Sequence, residues 1–203
     1  CHSPSMSLSI FVSQTGNVAR LNDGATSMIK ETTTIEIGMA VNPGCAAWSP
    51  DALLFCVTGP DGTATSSTGT TWELHTDTPK DLRDMSFRED LGCFFAWSGT
   101  DKKFYVSGDG KDWIKLKNTP IPLDEVACLD YSADLGWYCA IGGTSKVAYF
   151  SKDLEHWVST EVTNGAAIEM NSVKYMPNVG KYILMPKSGS YYYTFNASDW
   201  TSN

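Results

Sequence analysis

The side chains that could perform catalysis or bind a metal are few in this chain of 203 residues. His75 and Asp77 could supply two metal ligands, but an isolated pair just after a predicted outer strand is typical of solvated surface. Glu89 and Asp90 could act as a general acid and base, yet adjacent carboxylates are more often turn residues. No glycine-rich phosphate loop, Cys-x-x-Cys pair or Gly-x-Ser-x-Gly elbow is present. We therefore predict no catalytic, metal-binding or cofactor-binding residue, and no enzyme activity.

The composition indicates a folded, acidic domain. Hydrophobic residues make up 42% of the chain and charged residues 19%, while the formal net charge is −8. A negative protein is a poor partner for nucleic acid or an anionic membrane, so we predict neither. Lys115 and Lys117 alternate with Ile114 and Leu116, which predicts the solvated face of an outer strand. Three more lysines complete this most basic stretch: Lys102, Lys103 and Lys111.

The cysteines and the N-terminal residues bear on where the protein is made. No basic start followed by an apolar core is visible in residues 1–8, so no secretion signal is predicted. No apolar run reaches the ~20 residues of a membrane helix. Five of the six cysteines lie in or just ahead of apolar runs, which predicts buried, reduced thiols made in a cytoplasm: Cys45, Cys56, Cys93, Cys128 and Cys139.

A short phrase returns five times along the chain. Its copies are Ser13-Gln-Thr-Gly16, Ser66-Ser-Thr-Gly69, Ser107-Gly-Asp-Gly110, Ser151-Lys-Asp-Leu154 and Thr194-Phe-Asn-Ala197. Four copies have a tryptophan six residues after the first hydroxyl, and the first copy has Ala19 there. Their starts at 13, 66, 107, 151 and 194 give a spacing that fits ~40–45 residues of a four-stranded repeat in the last three intervals.

The segments between the copies predict the same four strands each time. A short strand comes first, at 46–48, 85–87, 129–131 and 173–175. An almost wholly apolar strand follows, as expected for burial on both faces, at 53–57, 93–97, 137–141 and 182–185. A third strand leads into the phrase, and the tryptophan opens a fourth. No segment has a sustained helical period, so we predict almost no helix.

The phrase itself predicts a tight turn between the third and fourth strands. Its first hydroxyl and the side chain of Asp109 or Asp153 can accept hydrogen bonds from backbone N–H groups of the turn. Gly110 supplies a positive φ at the fourth position. Leu154 and Ala197 replace glycine there, so we expect those two turns to be less tight.

Residues 1–44 are the irregular part of the chain, whereas 45–203 contain four clear repeats. Residues 8–14 and 17–21 are predicted as a third and fourth strand around the first copy of the phrase. Two further strands are predicted at 27–31 and 33–41, with turns at Gly24 and at 32–34. This segment either forms a fifth unit of its own, which we favour, or completes a ring of four.

The phrase resembles the Asp box of bacterial-neuraminidase-type repeats, which build β-propellers. The resemblance implies a single small all-β propeller over residues 1–203, with four-stranded antiparallel blades and structural box turns. Sialidase activity in such proteins uses three arginines from separate blades, but this chain has only Arg20, Arg83 and Arg88, two of them in one repeat. The catalytic residues of that family therefore do not carry over.

Small acidic propellers of this kind are similar to phage tail, fibre or decoration proteins. The resemblance implies a non-enzymatic virion component that docks other virion proteins or a host-surface glycan. A soluble, cytoplasmic, lectin-like propeller is the alternative, and a glycosidase-related enzyme is disfavoured. Of Tyr191, Tyr192 and Tyr193, one must point away from the other two if they lie on a strand. The Asn196-Ala-Ser198 glycosylation motif falls inside a box and is discounted.

Overall fold

The computed structural model is built almost entirely of antiparallel β-strands. It describes residues 1–13, 16–35, 45–117, 126–162 and 167–202, and for residues 30–34 and 127 the backbone alone. One 3-10 turn, Pro177–Val179, interrupts the strands of the described residues. The chain packs as two compact units, Cys1–Leu116 and Lys117–Asn203. The prediction of one domain over residues 1–203 stays a prediction.

The unit Cys1–Leu116 contains three four-stranded sheets, each ordered as the chain runs. The first sheet consists of β1 (His2–Ser3), β2 (Leu8–Val12), β3 (Asn17–Asn22) and β4 (Ile29–Thr34). The second consists of β5 (Ala46–Ser49), β6 (Leu54–Gly59), β7 (Gly62–Ser66) and β8 (Glu73–His75). The third consists of β9 (Leu82–Arg88), β10 (Cys93–Ser98), β11 (Lys103–Ser107) and β12 (Ile114–Lys115).

The unit Lys117–Asn203 contains two sheets. The fourth sheet consists of β13 (Val126–Ser132), β14 (Trp137–Gly142), β16 (Val147–Ser151) and β17 (Val158–Glu161). The fifth has five strands, because the short β15 (Thr144–Ser145) precedes β18 (Ile168–Met176), β19 (Lys181–Pro186), β20 (Tyr192–Thr194) and β21 (Thr201–Ser202). The favoured five blades and the alternative four stay predictions, since a number of sheets does not by itself establish a closed ring.

The four clear repeats have the strand order that the sequence predicts, and every apolar second strand is where it was expected. The N-terminal segment differs in two respects. The strands predicted as the third and fourth around the first copy of the phrase are the second and third of their sheet, because β1 and β4 pair on either side of them. The predicted strand, turn and strand across 27–41 are wrong, because Ile29–Thr34 is one continuous strand that runs through the expected turn at 32–34. The remainder of that prediction, 36–41, lies outside the described residues. Gly24 does lie in a turn, with a φ of 78°.

One aromatic pair recurs across the first two strands of four sheets. The aromatic residue near the end of each first strand lies directly opposite an aromatic residue of the second strand. The ring centroids are 4.5 Å to 5.4 Å apart, which is the range for favourable aromatic contact. The four pairs are Trp48–Phe55, Phe87–Phe94, Tyr131–Tyr138 and Tyr175–Tyr182.

Successive sheets within each unit pack face to face. In the first unit, Leu8 and Ile10 of the first sheet share a buried cluster with Phe55 and Val57 of the second. In the second unit, a larger cluster joins the fourth and fifth sheets. Alternate residues of each strand therefore belong to two different interfaces. We call the face that meets the next sheet along the chain the forward face, and the other the backward face.

Candidate functional site: repeat turns and an aromatic cleft

The turns at 66–69, 107–110, 151–154 and 194–197, which we call the repeat turns, join the third and fourth strands of the second to fifth sheets. In the turn of the third sheet, the buried Ser107 Oγ accepts hydrogen bonds from the N–H groups of Asp109 at 3.3 Å and Gly110 at 2.8 Å. It also donates to Asp109 Oδ1 at 3.1 Å. Asp109 Oδ1 in turn accepts from the N–H groups of Lys111 and Asp112, each at 2.9 Å. The polar atoms of the turn thus bond to each other.

The turn of the fourth sheet has the same network and corrects one prediction. Ser151 Oγ accepts from the N–H of Leu154 at 2.8 Å, the distance found at Gly110. Leu154 has a φ of 64° and Ala197 has a φ of 58°. Both residues therefore adopt the left-handed conformation for which we expected a glycine. The prediction of a less tight turn at Leu154 is wrong, because the hydroxyl bond and the burial of its side chain hold it there.

The copy of the phrase at 13–16 forms a different turn. Val12 pairs with Val18, six residues later, whereas the matching pair in the fourth sheet, Phe150 and Val158, lies eight residues apart. Ser13 is already hydrogen-bonded to Asn17, which donates to its Oγ at 3.1 Å. Ala19, six residues after Ser13 in the sequence, is therefore not the structural counterpart of the tryptophans, because the connection between the paired positions is shorter by two residues.

Three of the four tryptophans donate a hydrogen bond from the indole N–H, and two of these bonds lie within the tryptophan's own turn. Trp113 donates to the carbonyl of Gly110 at 3.1 Å, and Trp157 donates to that of Leu154 at 3.0 Å. Trp200 instead reaches the preceding sheet, where it donates to Thr160 Oγ1 at 3.0 Å and lies 6.0 Å from the ring of Phe150. The fourth, Trp72, packs against the buried cluster between the first and second sheets. These contacts support the structural interpretation of the repeat turns.

In the repeat turns, the pKa values of three side chains are shifted by groups close by in the sequence: Asp109, Asp153 and His156. Burial acts to raise the pKa of Asp109, but the N–H groups of Asp112 and Lys111 and the hydroxyl of Ser107 outweigh it, and the pKa is lowered. The backbone N–H and side chain of His156 hold the pKa of Asp153 well below its usual range. Asp153 conversely raises the pKa of His156. Every partner named here lies within the same turn, so these shifts report turn stabilisation.

We expect Asp153→Asn to lower the pKa of His156 towards its ordinary value of 6.5, because the carboxylate at 2.7 Å is removed. The stabilisation from Asp153 is present above its unfolded pKa and is lost as the pH falls. That from His156 is present below pH 6.5 and is lost as the pH rises through its raised pKa. Titration of imidazole proton resonances by NMR measures the shift. His75 is the internal control, and an unchanged His156 would contradict the pairing.

The remaining candidate residues are held in local contacts. Arg83 pairs with Asp81 at 2.8 Å, and the buried Arg88 pairs with Asp90 at 2.7 Å, both within the third sheet. The carboxylate of Asp90 therefore forms an ion pair with an arginine at a turn, and this contact does not involve Glu89. Arg20 lies on β3 of the first sheet. Arg83 and Arg88 both lie on β9 of the third sheet, as the sequence implied.

The other polar candidates also lie in structural surroundings. His75 Nε2 lies 2.9 Å from Thr65 Oγ1, and burial lowers the pKa of its imidazole. Lys115 is exposed on the outer strand Ile114–Lys115 and pairs with Asp101, as expected for a solvated face, whereas Lys117 is exposed beyond the end of that strand. Lys111 pairs with Glu73. Ile114, expected on the opposite and less exposed face, is exposed as well. Asn196 accepts two N–H groups of its turn through Oδ1.

Across the described residues, no group of three or more His, Cys, Asp and Glu side chains could hold a metal ion. The six cysteines are free thiols. Three are buried, as predicted: Cys56, Cys128 and Cys139. Cys45 and Cys93 are only half-buried, which corrects their assignment to the core. None of the described helical residues forms a helix long and apolar enough to cross a membrane.

An aromatic cleft of about 300 Å³ opens in the unit Cys1–Leu116. It lies where the first strands of three consecutive sheets, β1, β5 and β9, run into their following turns. The described residues that line it are His2, Pro4, Trp48, Pro50, Phe87 and Glu89. Two aromatic rings and two prolines form apolar walls, and Glu89 is exposed on its rim. A cleft of this kind suits an apolar segment with a basic group.

Sequence reasoning did not find the cleft, because its walls come from three separate sheets. A signal was nevertheless present: each of the four first strands ends with an aromatic residue before its turn. In the second and third sheets those residues are Trp48 and Phe87, which line the cleft. Proline at positions 4 and 50, beside strand ends, completes the walls without offering a backbone N–H.

The three consecutive tyrosines occupy β20 and the residue before it. Tyr191 and Tyr193 lie on one side with ring centroids 6.4 Å apart, and Tyr192 packs on the cluster between the fourth and fifth sheets. This confirms the expected alternation. Tyr192 therefore has a packing role, while Tyr191 lies on an exposed surface.

The successive four-stranded antiparallel sheets define the class: the fold is that of a β-propeller. No protein-family model and no curated protein matches the sequence. Solved β-propeller-type structures are similar to it. A chain of the nidogen/laminin complex matches with a TM-score of 0.70 and 13% identity over 93% of this chain and 71% of that one.

Two further structures show the same fold. YCF48 bound to a D1 peptide gives a TM-score of 0.67 at 14% identity, over 97% of this chain and 64% of that one. Virginiamycin B lyase from Staphylococcus aureus gives 0.69 at 8% identity, over 96% and 68% respectively. The chain thus spans roughly two thirds of the length of these structures. At such identities the similarity establishes the fold alone.

Proposed function

We propose that this protein is a non-enzymatic docking propeller of a virus particle, a component of the tail, fibre or capsid decoration. The observation that carries the docking role is the aromatic cleft of Trp48 and Phe87, which is open to a partner while the repeat turns are occupied with their own hydrogen bonds. Clefts with buried aromatic walls and a polar rim are the usual anchor points of protein interfaces. The Asp-box resemblance of the turns supports the assignment to particle propellers.

The chemistry of the cleft indicates the kind of partner. Glu89 on its rim and the net charge of −8 favour a basic residue flanked by apolar ones. Two similar structures come from complexes with a protein or peptide, namely nidogen/laminin and YCF48 with a D1 peptide. They are consistent with docking as a use of this fold, although a fold alone does not decide function.

Quantitative mass spectrometry of purified virus particles tests the proposal. We expect this protein in the particles at a fixed copy number relative to the major capsid protein, and resistant to removal by salt washing. Absence from washed particles would contradict the particle role. Binding to glycan arrays without particle association would instead favour the lectin-like alternative.

A further inference from the structure

The aromatic cleft is built from positions that repeat in three consecutive sheets. A turn of four residues follows the first strand of each of these sheets: 4–7, 50–53 and 89–92. Each turn ends in a residue with a positive φ, which is 51° at Ser7, 48° at Leu53 and 60° at Gly92. The three turns therefore match residue by residue, and the positions that line the cleft can be compared directly.

Each described residue that lines the cleft occupies one of two matched positions. One position is the first residue of the turn, and its members are Pro4, Pro50 and Glu89. The other lies two residues earlier on the first strand, and its members are His2, Trp48 and Phe87. Buried clusters join the first sheet to the second and the second to the third. The cleft is thus a row of matched positions that crosses three packed sheets.

The spacing of this row favours a partner segment in the polyproline II conformation. Packed sheets lie ~10 Å apart, so the matched positions recur at about that interval. A polyproline II helix has about three residues per turn and rises ~3.1 Å per residue, so every third side chain points the same way at intervals of ~9 Å. An extended β-strand repeats its side chains every ~7 Å, which does not fit the row.

The walls of the cleft also suit such a segment. Aromatic grooves bind polyproline II helices because these helices are preformed and lose little conformational entropy on binding. Pro4 and Pro50 have no backbone N–H, so neither can pair with an added β-strand through that group. A polyproline II helix makes no backbone ladder and therefore needs none from the cleft.

Glu89 gives the row a charge at its third-sheet end. The side chain is exposed, and within the described part of the chain its carboxylate forms no ion pair or hydrogen bond. The neighbouring Asp90 is already paired with Arg88. A basic residue of the partner would therefore be favoured next to Glu89. Arginine suits this position best, because its planar guanidinium can pair with a carboxylate and stack on a ring such as that of Phe87.

We propose that the cleft binds a polyproline II segment of about seven residues with an arginine next to Glu89. Its first, fourth and seventh side chains face the three sheets in turn, because six steps of ~3.1 Å match two sheet spacings of ~10 Å. This inference rests on the proposed docking role of the cleft and names the chemistry of the partner.

Isothermal titration calorimetry with blocked synthetic peptides tests the conformation and the register. The probes are Leu-Pro-Pro-Leu-Pro-Pro-Arg and its reversed sequence, since the row does not fix the direction of the segment. We expect one of them to bind. An additional proline next to the arginine should weaken binding at least about threefold, because it rotates the arginine by about a third of a turn. Glycine in place of every proline should also weaken binding at least about threefold, because the free peptide is then less ordered.

Two protein variants test the charge. Glu89→Gln should weaken binding of the arginine peptide at least about threefold, because the ion pair is removed. Glu155→Gln is the matched control, since Glu155 is an exposed glutamate directly after the repeat turn at 151–154. Circular dichroism of each variant shows that it is folded before the comparison is made.

Any one of three results would overturn the inference. Neither peptide binds at ~1 mM; the peptide with the added proline or with glycines binds as tightly as the parent peptide; or Glu89→Gln weakens binding no more than Glu155→Gln does. The assay contains no virus particle. It can therefore fail while mass spectrometry finds the protein in particles, and it can succeed while mass spectrometry does not.

Discussion

Gly110→Ala should destabilise the protein by about 3 kcal/mol, because an added Cβ meets two obstacles at once. Gly110 has a φ of 75°, which costs an alanine ~1–2 kcal/mol. The new Cβ would also lie 2.7 Å from Thr65 Cγ2 and 2.9 Å from Cys56 Sγ of the preceding sheet, and relieving such overlap costs ~1–3 kcal/mol. The repeat turn of the third sheet thus fits against the second sheet without space for a side chain.

Two glycines of the same unit separate these contributions. Gly24 has a φ of 78°, but a Cβ added there would meet no heavy atom within 4 Å. Gly24→Ala should therefore lower the free energy of unfolding only by the ~1–2 kcal/mol of backbone strain. Gly108→Ala, without a positive φ and with open space around it, should stay within ~0.5 kcal/mol of the parent protein. Denaturant unfolding measures all three, and equal losses for Gly110 and Gly24 would disprove the close contact.

Phe150→Ala should cost about 3–5 kcal/mol, whereas Tyr193→Ala at the matching position of the next sheet should cost less than ~1 kcal/mol. Phe150 is buried between the fourth and fifth sheets, 5.5 Å from the ring of Tyr182 and 6.0 Å from that of Trp200. Its removal leaves a cavity that rigid strands cannot close. Tyr193 is half-buried and contacts Tyr191 and Phe195 of its own segment and Lys181 across the sheet. Such pairs on one face of a sheet contribute ~0.2–1 kcal/mol.

Unfolding at a concentration where the protein is monomeric measures this difference. A loss at Tyr193 comparable to that at Phe150 would mean that the face of the fifth sheet that carries Tyr193 is covered within a single chain. The comparison is informative because the two residues have the same register relative to Ser151 and Thr194 and differ in whether a further sheet lies on them.

The strands of the four clear repeats could be predicted because their signals are local. A continuous apolar run such as 93–97 fits only a strand with both faces buried, and a hydroxyl with a tryptophan six residues later marks the turn that follows. The turn at 13–16 could not be read this way. Its serine and glycine resemble those at 66–69, but the pairing of Val12 with Val18 depends on the partner strand, which the sequence does not specify.

The tight turn at Leu154 illustrates a different limit. Residue type predicts reluctance to adopt a positive φ, but a buried side chain and the Ser151 hydroxyl together outweigh that preference. The aromatic cleft lay beyond sequence reasoning for a topological reason. Trp48 and Phe87 come from first strands about forty residues apart, and only sheet-on-sheet packing brings them together with His2 and Pro4.

Incorporation of two charge-reversal variants into virus particles tests the central claim most directly, namely that the cleft and not the repeat turns contacts the partner. Glu89→Lys places a positive charge on the rim of the cleft, and Glu155→Lys places the same charge on an exposed residue directly after the repeat turn at 151–154. We expect Glu89→Lys to weaken binding at least about tenfold, a loss of ~1.4 kcal/mol, and to lower the copy number per particle when the protein is supplied below saturation, and we expect Glu155→Lys to leave the copy number unchanged. Normal incorporation of Glu89→Lys, or an equal loss with Glu155→Lys, would contradict the account.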